Sequence, residues 1–413
     1  MKNSPVGPVL TLLLLFSIGL LGEVDYQVIP PLLPLLAADF QVPPSNAAQA
    51  IPIYAIASAV FSLVFGYLSD HLGRKPVIQA GLLSFAAASL CNYASPSLQV
   101  FFVGRFFSGV TAGAVSTAAT SYAADYFRYE HRGKAMGVLS TAYFAAAIIG
   151  IPSATAIASR WGWRSIAFAI FVFGIIASGL VWKLLQPETP LQVREIDAHN
   201  RLSAFRIQQV LRLCLHQRGT ISILLASMLS SGAVVGFITF LSIHLTTTQH
   251  VTVRQVGLVF LLCGAASLVG APLSGIVADR WAKKPLLVLS GLVLSGCVVV
   301  IPQLGWNFSL FAALAFAGLS IAFRMAPLLA LTTELVSAEY RGTFLALRNA
   351  LSQLGIAGSV LVASYCYAIR GYALVGGFSA TLLIASTLLV VFLVPEPREY
   401  SPVQSDQTRT ERV

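Results

Sequence analysis

Charge is what this sequence has least of. Aspartate, glutamate, lysine and arginine make up only 10% of its 413 residues, while 56% are hydrophobic and the mean hydropathy is +0.79. A soluble globular chain carries about 25% charged residues. This one has too little polar surface to face water on all sides, so lipid must supply most of its solvent. Acids are the rarer sign, 16 against 26 bases, for a net charge of +10. The bases stand singly in short segments rather than in a patch, which argues against a nucleic-acid partner and fits membrane topology. Cysteine is sparse as well. Cys91, Cys214, Cys263, Cys297 and Cys366 are odd in number, lie mostly inside apolar runs and lack metal-ligand spacing. They read as packing residues, with no disulfide framework and no metal. There is no nucleotide-binding P-loop, no H-E-x-x-H and no G-x-S-x-G. These absences argue against an enzyme, leave no cofactor to expect, and direct the search for energy to an ion gradient or the substrate's own gradient.

What the sequence does contain is long apolar runs. The first covers 9–36. Lys2 ahead of a leucine run resembles the start of a signal peptide, but no small-residue cleavage site closes it, so it reads as an uncleaved first helix. Further runs follow at about 49–69, 77–95, 98–124, 135–157 and 165–185, then, beyond a polar stretch, at about 220–245, 254–278, 285–304, 308–335, 343–368 and 373–394. Each is long enough for the ~20 residues of a helical bilayer crossing. Continuous apolar character without strand-like alternation specifies helices rather than a barrel. The expected fold class is an all-α membrane protein of twelve spans. Its parts are a six-helix bundle at 1–185, a linker at 186–218, a second six-helix bundle at 219–395 and a disordered tail at 396–413.

The two bundles read as copies. Gly66, Asp70, Arg74, Lys75 and Pro76 recur 209 positions later, without a gap, as Gly275, Asp279, Lys283, Lys284 and Pro285. The same offset carries Asp125 onto Glu334, and Arg132-Gly133 onto Arg341-Gly342. Most Lys and Arg residues, including Lys2, Arg74, Lys75, Arg132, the linker bases, Lys283, Lys284 and Arg409, fall on one side of the twelve spans. That side is expected to be cytoplasmic, with both termini inside.

Between the second and third spans, G-x-L-x-D-x-x-G-R-[RK]-P (residues 66–76) resembles the signature loop of the major facilitator superfamily. With the repeat, the resemblance covers nearly the whole chain and implies that superfamily's fold. Arg105-Phe106-Phe107-Ser108-Gly109 resembles its R-x-x-x-G segment, most developed in proton-linked members. Gly150, Pro152 and Thr155, running on to Gly162-Trp163-Arg164, resemble the antiporter motif of exporters in a form closer to sugar- and nucleoside-efflux relatives. The resemblance implies a twelve-span efflux branch exchanging drug or sugar for protons.

The residues also carry a reading of their own. Asp70 ends the second span near the expected start of the eleventh, whose N-terminal dipole attracts a carboxylate. Arg74 is placed to reach Asp125, and Asp279, Lys283, Lys284 and Glu334 repeat the set. Together with Gly66 and Lys75 they are expected to latch the two halves shut on the cytoplasmic side. Ionisable groups at membrane depth usually face a cavity or a partner. Glu23 and Asp25 are two residues apart, about 200° around a helix, so they cannot share a face. Glu23 lies on a stripe with Gly19, Tyr26, Gln27 and Pro30 and is expected to face a cavity. Asp25 needs a partner, for which Arg105 is the candidate. Either acid can be the proton carrier, with Glu23 placed first; Arg105 is a relay or a structural pair. Tyr26, Gln27, Tyr143, Arg324 and Gln353 are candidate cavity residues, and His244 reads as interfacial.

The expected function is secondary active transport: proton-coupled export of a drug, sugar or nucleoside by alternating access. Uptake by symport or uniport is the alternative, and a membrane receptor or scaffold that no longer transports is the alternative of another class. Expected partners are a small-molecule substrate, protons and the bilayer of a bacterial inner membrane, with the chain acting as a monomer and binding no nucleic acid.

Overall fold

The computed structural model describes residues 7–127, 129–186, 218–280, 283–336 and 341–394. Among these residues all regular structure is helical. The elements are α1 (Pro8–Gln27), α2 (Ile29–Asp39), α3 (Pro44–Ala47), α4 (Ala50–Leu72), α5 (Arg74–Tyr93), α6 (Leu98–Tyr126) and α7 (Tyr129–Ala145). A π-helical turn (Ala146–Gly150) leads into α8 (Ile151–Trp161) and α9 (Arg164–Leu184). The second half holds α10 (Arg218–Thr248), α11 (Val253–Arg280), α12 (Lys283–Val300), α13 (Phe308–Glu334), α14 (Arg341–Arg370) and α15 (Tyr372–Leu393). The linker, the tail and the expectations that fall on them lie outside the described residues.

Eleven segments are long and apolar enough to cross a bilayer. The twelfth crossing is α5, as long as α1 but carrying Arg74, Lys75, Gln79 and Asn92 in an otherwise apolar helix. Sites of low helix propensity set the breaks. Gly73, at φ 90°, is the single residue between α4 and α5; a side chain would strain this turn. Ser97 and Asn307 cap α6 and α13 by accepting the backbone N–H groups of Val100 and Leu310. Asn307, the acceptor position of an N-x-S sequon, is thus used as a helix cap. The first span departs from the single helix expected: it breaks at Val28 and restarts with Pro30 in its first turn, because Pro30 and Pro31 donate no backbone N–H.

Adding 209 to the rods of the first half lands on those of the second. The last residues Asp39, Trp161 and Leu184 map onto Thr248, Arg370 and Leu393, the ends of α10, α14 and α15, and Arg74, which opens α5, maps onto Lys283, which opens α12. Within the first half α6 packs on α4 and α5, and α5 on α9; within the second, α10 packs on α14 and α15, and α13 on α11 and α12. The halves meet through α4 against α14, its repeat counterpart α8 against α11, and α2 against α10.

The packing is lopsided along the membrane normal. At the end away from the termini, the halves share one hydrophobic core in which Leu33, Leu36 and Ile51 join Phe237, Phe240, Ile356 and Val360. At the end carrying the signature loop, each half closes on itself. Leu15, Ile78 and Val181 belong to one cluster, and Ile223, Leu287 and Val390 to another. Among the described residues the halves therefore share a core at the far end, and each has a core of its own at the loop end.

Candidate functional site

α1 and α6 bring the membrane-depth charges together. Arg105 Nη1 donates to Asp25 Oδ2 at 2.9 Å and to the Asp25 backbone carbonyl at 3.5 Å. The two residues are 1% and 4% exposed. The guanidinium also lies over the Tyr54 ring, 4.5 Å from its centroid, and Tyr26 stacks on the same ring at 5.3 Å. Tyr54, from α4, was not among the sequence candidates. A tyrosine in an apolar helix signals a polar neighbour, but nothing in its spacing points to Arg105. The Arg105 Nε and Nη2 and the Tyr26 hydroxyl have no hydrogen-bond partner among the described residues.

Glu23 is held differently. It is partly buried, and its Oε2 accepts from Gln27 Nε2 at 3.0 Å. No cation pairs with it among the described residues. The same Gln27 nitrogen donates to the backbone carbonyl of Tyr143 at 3.2 Å, joining α1 to the fifth span. The stripe around Glu23 thus faces neighbouring helices: Gly19 meets Ala142, Tyr26 meets Tyr54, and the Pro30 carbonyl accepts from Ser242 in the second half.

The motif residues of the fifth span sit at the seam. A side chain on Gly150 would place Cβ 2.5 Å from Val24 Cγ2, so α1 and the π turn fit only with glycine there. Pro152 occupies the first turn of α8, where its missing N–H is tolerated. The Thr155 hydroxyl donates back to the carbonyls of Ile151 and Pro152 and lies against Gly257 of α11, where a Cβ would come within 1.9 Å of it.

One expectation needs correction. Arg324 does not face a cavity. It is 2% exposed and donates to Ser230, Ser386, Thr387 and the Leu287 carbonyl, all inside the second half. A guanidinium with so many donors is accommodated by a ring of hydroxyls, which the apolar context of its own helix does not reveal. His244, near the end of α10, is buried and its ring stacks on Tyr372, the first residue of α15, at 4.8 Å. The loop charges expected to pair do so within each half. Arg74 meets Asp125 at 3.3 Å within the first half, and Lys283 meets Glu334 within the second. Lys75 donates to the Trp182 and Leu185 carbonyls, and Lys284 donates to that of Val394, the repeat mate of Leu185. The side chains of Asp70 and Asp279 lie outside the described residues, and Gly66 has ordinary clearance, 3.5 Å from Thr117. Gln353 is partly buried, with its Oε1 unpartnered among the described residues. At the far end, Asp39 accepts from Trp163 Nε1 at 3.2 Å and pairs with Arg164. Asp39 was another residue the sequence left unmarked.

The repeat, the twelve crossings and the paired loop charges converge with direct comparison. Residues 15–241 and 223–412 both match the Major Facilitator Superfamily. The chain belongs to the major facilitator superfamily. The uncharacterised MFS-type transporter YceJ of Bacillus subtilis is 26% identical over 380 residues, covering 91% of this chain and 94% of that protein. The multidrug resistance protein fnx1 of Schizosaccharomyces pombe is 26% identical over 167 residues, 40% of this chain and 31% of that protein. Among solved structures, a D-xylose–proton symporter superposes with TM-score 0.77 at 18% identity, covering 95% of this chain and all of that one, which shows the shared fold. The protein is a multi-pass membrane transporter of this superfamily, not an enzyme.

Proposed function

We propose that this transporter couples export of a small organic molecule (a drug, sugar or nucleoside) to proton entry by alternating access, with Glu23 as the proton carrier. The observation that carries the reading is the contrast between the two acids of α1. Asp25 is tied to Arg105, so protonating it breaks a buried ion pair. Glu23 has only the neutral amide of Gln27 as partner, so a proton can come and go there without breaking one. The similarity to a protein named for multidrug resistance supports export, and the antiporter-type motif at Gly150, Pro152 and Thr155 supports it further.

With the base-rich loops on the cytoplasmic side of a bacterial inner membrane, the ends at which each half has its own core face the cytoplasm. The conformation is then inward-facing, and the far-end core must part in the opposite state. Arg74–Asp125 and Lys283–Glu334 brace each half so that it rocks as a unit. The tests are pH-gradient-driven uptake into everted vesicles and substrate binding to detergent-solubilised protein. Glu23→Gln should lose gradient-driven uptake and retain substrate binding. Full uptake by this variant, or proton movement parallel to substrate in the wild type, would refute the assignment.

A further inference from the structure

Between Glu23 and the seam of the two halves lies a single amide. The Gln27 nitrogen donates to two acceptors, the Glu23 carboxylate at 3.0 Å and the Tyr143 backbone carbonyl at 3.2 Å. Tyr143 stands just ahead of the π turn Ala146–Gly150, a widened single turn of a kind frequent at functional sites. The fit around that turn is tight on both sides. Toward α1, Gly150 leaves no room for a Cβ against Val24, the residue after Glu23. Toward the second half, Gly264 of α11 abuts Ala147 and Ile148 within the turn, and Gly257 abuts Thr155 one turn beyond it. A change at Gln27 is therefore one hydrogen bond from the turn, and the turn is in direct contact with the other half.

We propose that Gln27 is a positioning residue that transmits the charge of Glu23 to the widened turn of the fifth span, and so to the seam with α11. This rests on the reading of Glu23 as proton carrier. An ionised carboxylate makes a charge-assisted bond to the amide nitrogen, stronger than its neutral counterpart. Protonation removes that charge and supplies an O–H, which the amide oxygen accepts and the amide nitrogen cannot. When the amide turns to receive it, the nitrogen leaves the Tyr143 carbonyl and the turn loses its tie to α1. Proton uptake thereby releases the fifth span from the first, and proton loss restores the tie. The ionisable groups around this amide are Asp25 and Tyr26 on its own helix, Tyr143 on the fifth span, Tyr54 on α4 and Arg105 on α6.

The experiment measures distances between spin labels at Leu72→Cys and Gly342→Cys, exposed positions at the loop ends of α4 and α14, in full-length protein otherwise free of cysteine and reconstituted in lipid. The population of the two distances is followed against pH. In the otherwise unchanged protein it should titrate. In Gln27→Leu the midpoint should move by about one pH unit, the tenfold change expected when a hydrogen bond to a charged group is lost. A purely structural role would lower yield without moving the midpoint. Gln27→Met serves in the same measurement if the leucine variant does not fold. An unchanged midpoint and amplitude in the folded variant overturns the proposal. Glu23→Gln separates the two claims. A flat response there with an unmoved Gln27→Leu curve removes only the role of Gln27. A wild-type curve in Glu23→Gln, or no titration in the parent protein, removes the proton-carrier reading and this proposal with it.

Discussion

Replacing Asp25 with asparagine removes the carboxylate that Arg105 meets at 2.9 Å. The guanidinium is 1% exposed, and its Nε and Nη2 already lack partners among the described residues, so the substitution leaves a buried charge with little to neutralise it. Breaking a buried pair from one side costs about 3–5 kcal/mol, whereas replacing both partners is often close to neutral. Asp25→Asn and Arg105→Met should each destabilise by about 3 kcal/mol or more, and the double variant should be no less stable than either single one, a coupling energy of at least about 3 kcal/mol. The Arg74–Asp125 pair is an internal control. Its carboxylate side chain is 53% exposed, so the same cycle there should yield only about 0.2–1 kcal/mol. Unfolding in mixed micelles, titrated with a denaturing detergent and followed by tryptophan fluorescence, measures both cycles. Additive effects at Asp25 and Arg105, within about 0.5 kcal/mol, would refute the reasoning that this pair is a buried staple joining α1 to α6.

Three further outcomes follow from the packing. Gly150→Ala should reduce transport by forcing its Cβ onto Val24, and Val24→Ala should restore it; failure of the rescue in a vesicle uptake assay would remove the fitted contact from the account. Gly257→Ala should likewise reduce transport by colliding with the Thr155 hydroxyl, and Thr155→Ala in the same chain should relieve it, again measured as vesicle uptake. Arg324→Met should lower the detergent-solubilised yield, because Ser230, Ser386 and Thr387 lose their common donor, while leaving the substrate KM of the surviving protein unchanged. A raised KM would put Arg324 back at the substrate.

The architecture was legible because charge is rare here. Each polar residue in an apolar background is informative, and an ungapped offset of 209 survives as matching helix ends and as matching contacts, Lys75 to Leu185 and Lys284 to Val394. The need of Asp25 for a cation could also be read, since a carboxylate at that depth requires one, and the structure supplies Arg105. Arg324 shows the limit. The same argument asked for a cavity or a counter-ion, but a guanidinium can also be held by scattered hydroxyls from two other helices and a carbonyl from a third, and serines in apolar helices carry no sequence mark of that task. The signature-loop charges were legible in part: spacing places Arg74 within reach of Asp125 and the two meet, while the side chains of Asp70 and Asp279 lie outside the described residues. The close fits at Gly150 and Gly257 depend on the absence of a Cβ opposite a particular residue, which becomes visible only when the partner helix is in place.

The most direct test of the account is proton flux in proteoliposomes with a pH-sensitive dye in the lumen and a substrate gradient as the only driving force. The wild type is predicted to move protons against the direction of substrate, and Glu23→Gln to exchange substrate across the bilayer while moving no protons. Equal proton flux in the two proteins, or substrate transport by the wild type without any, would contradict it.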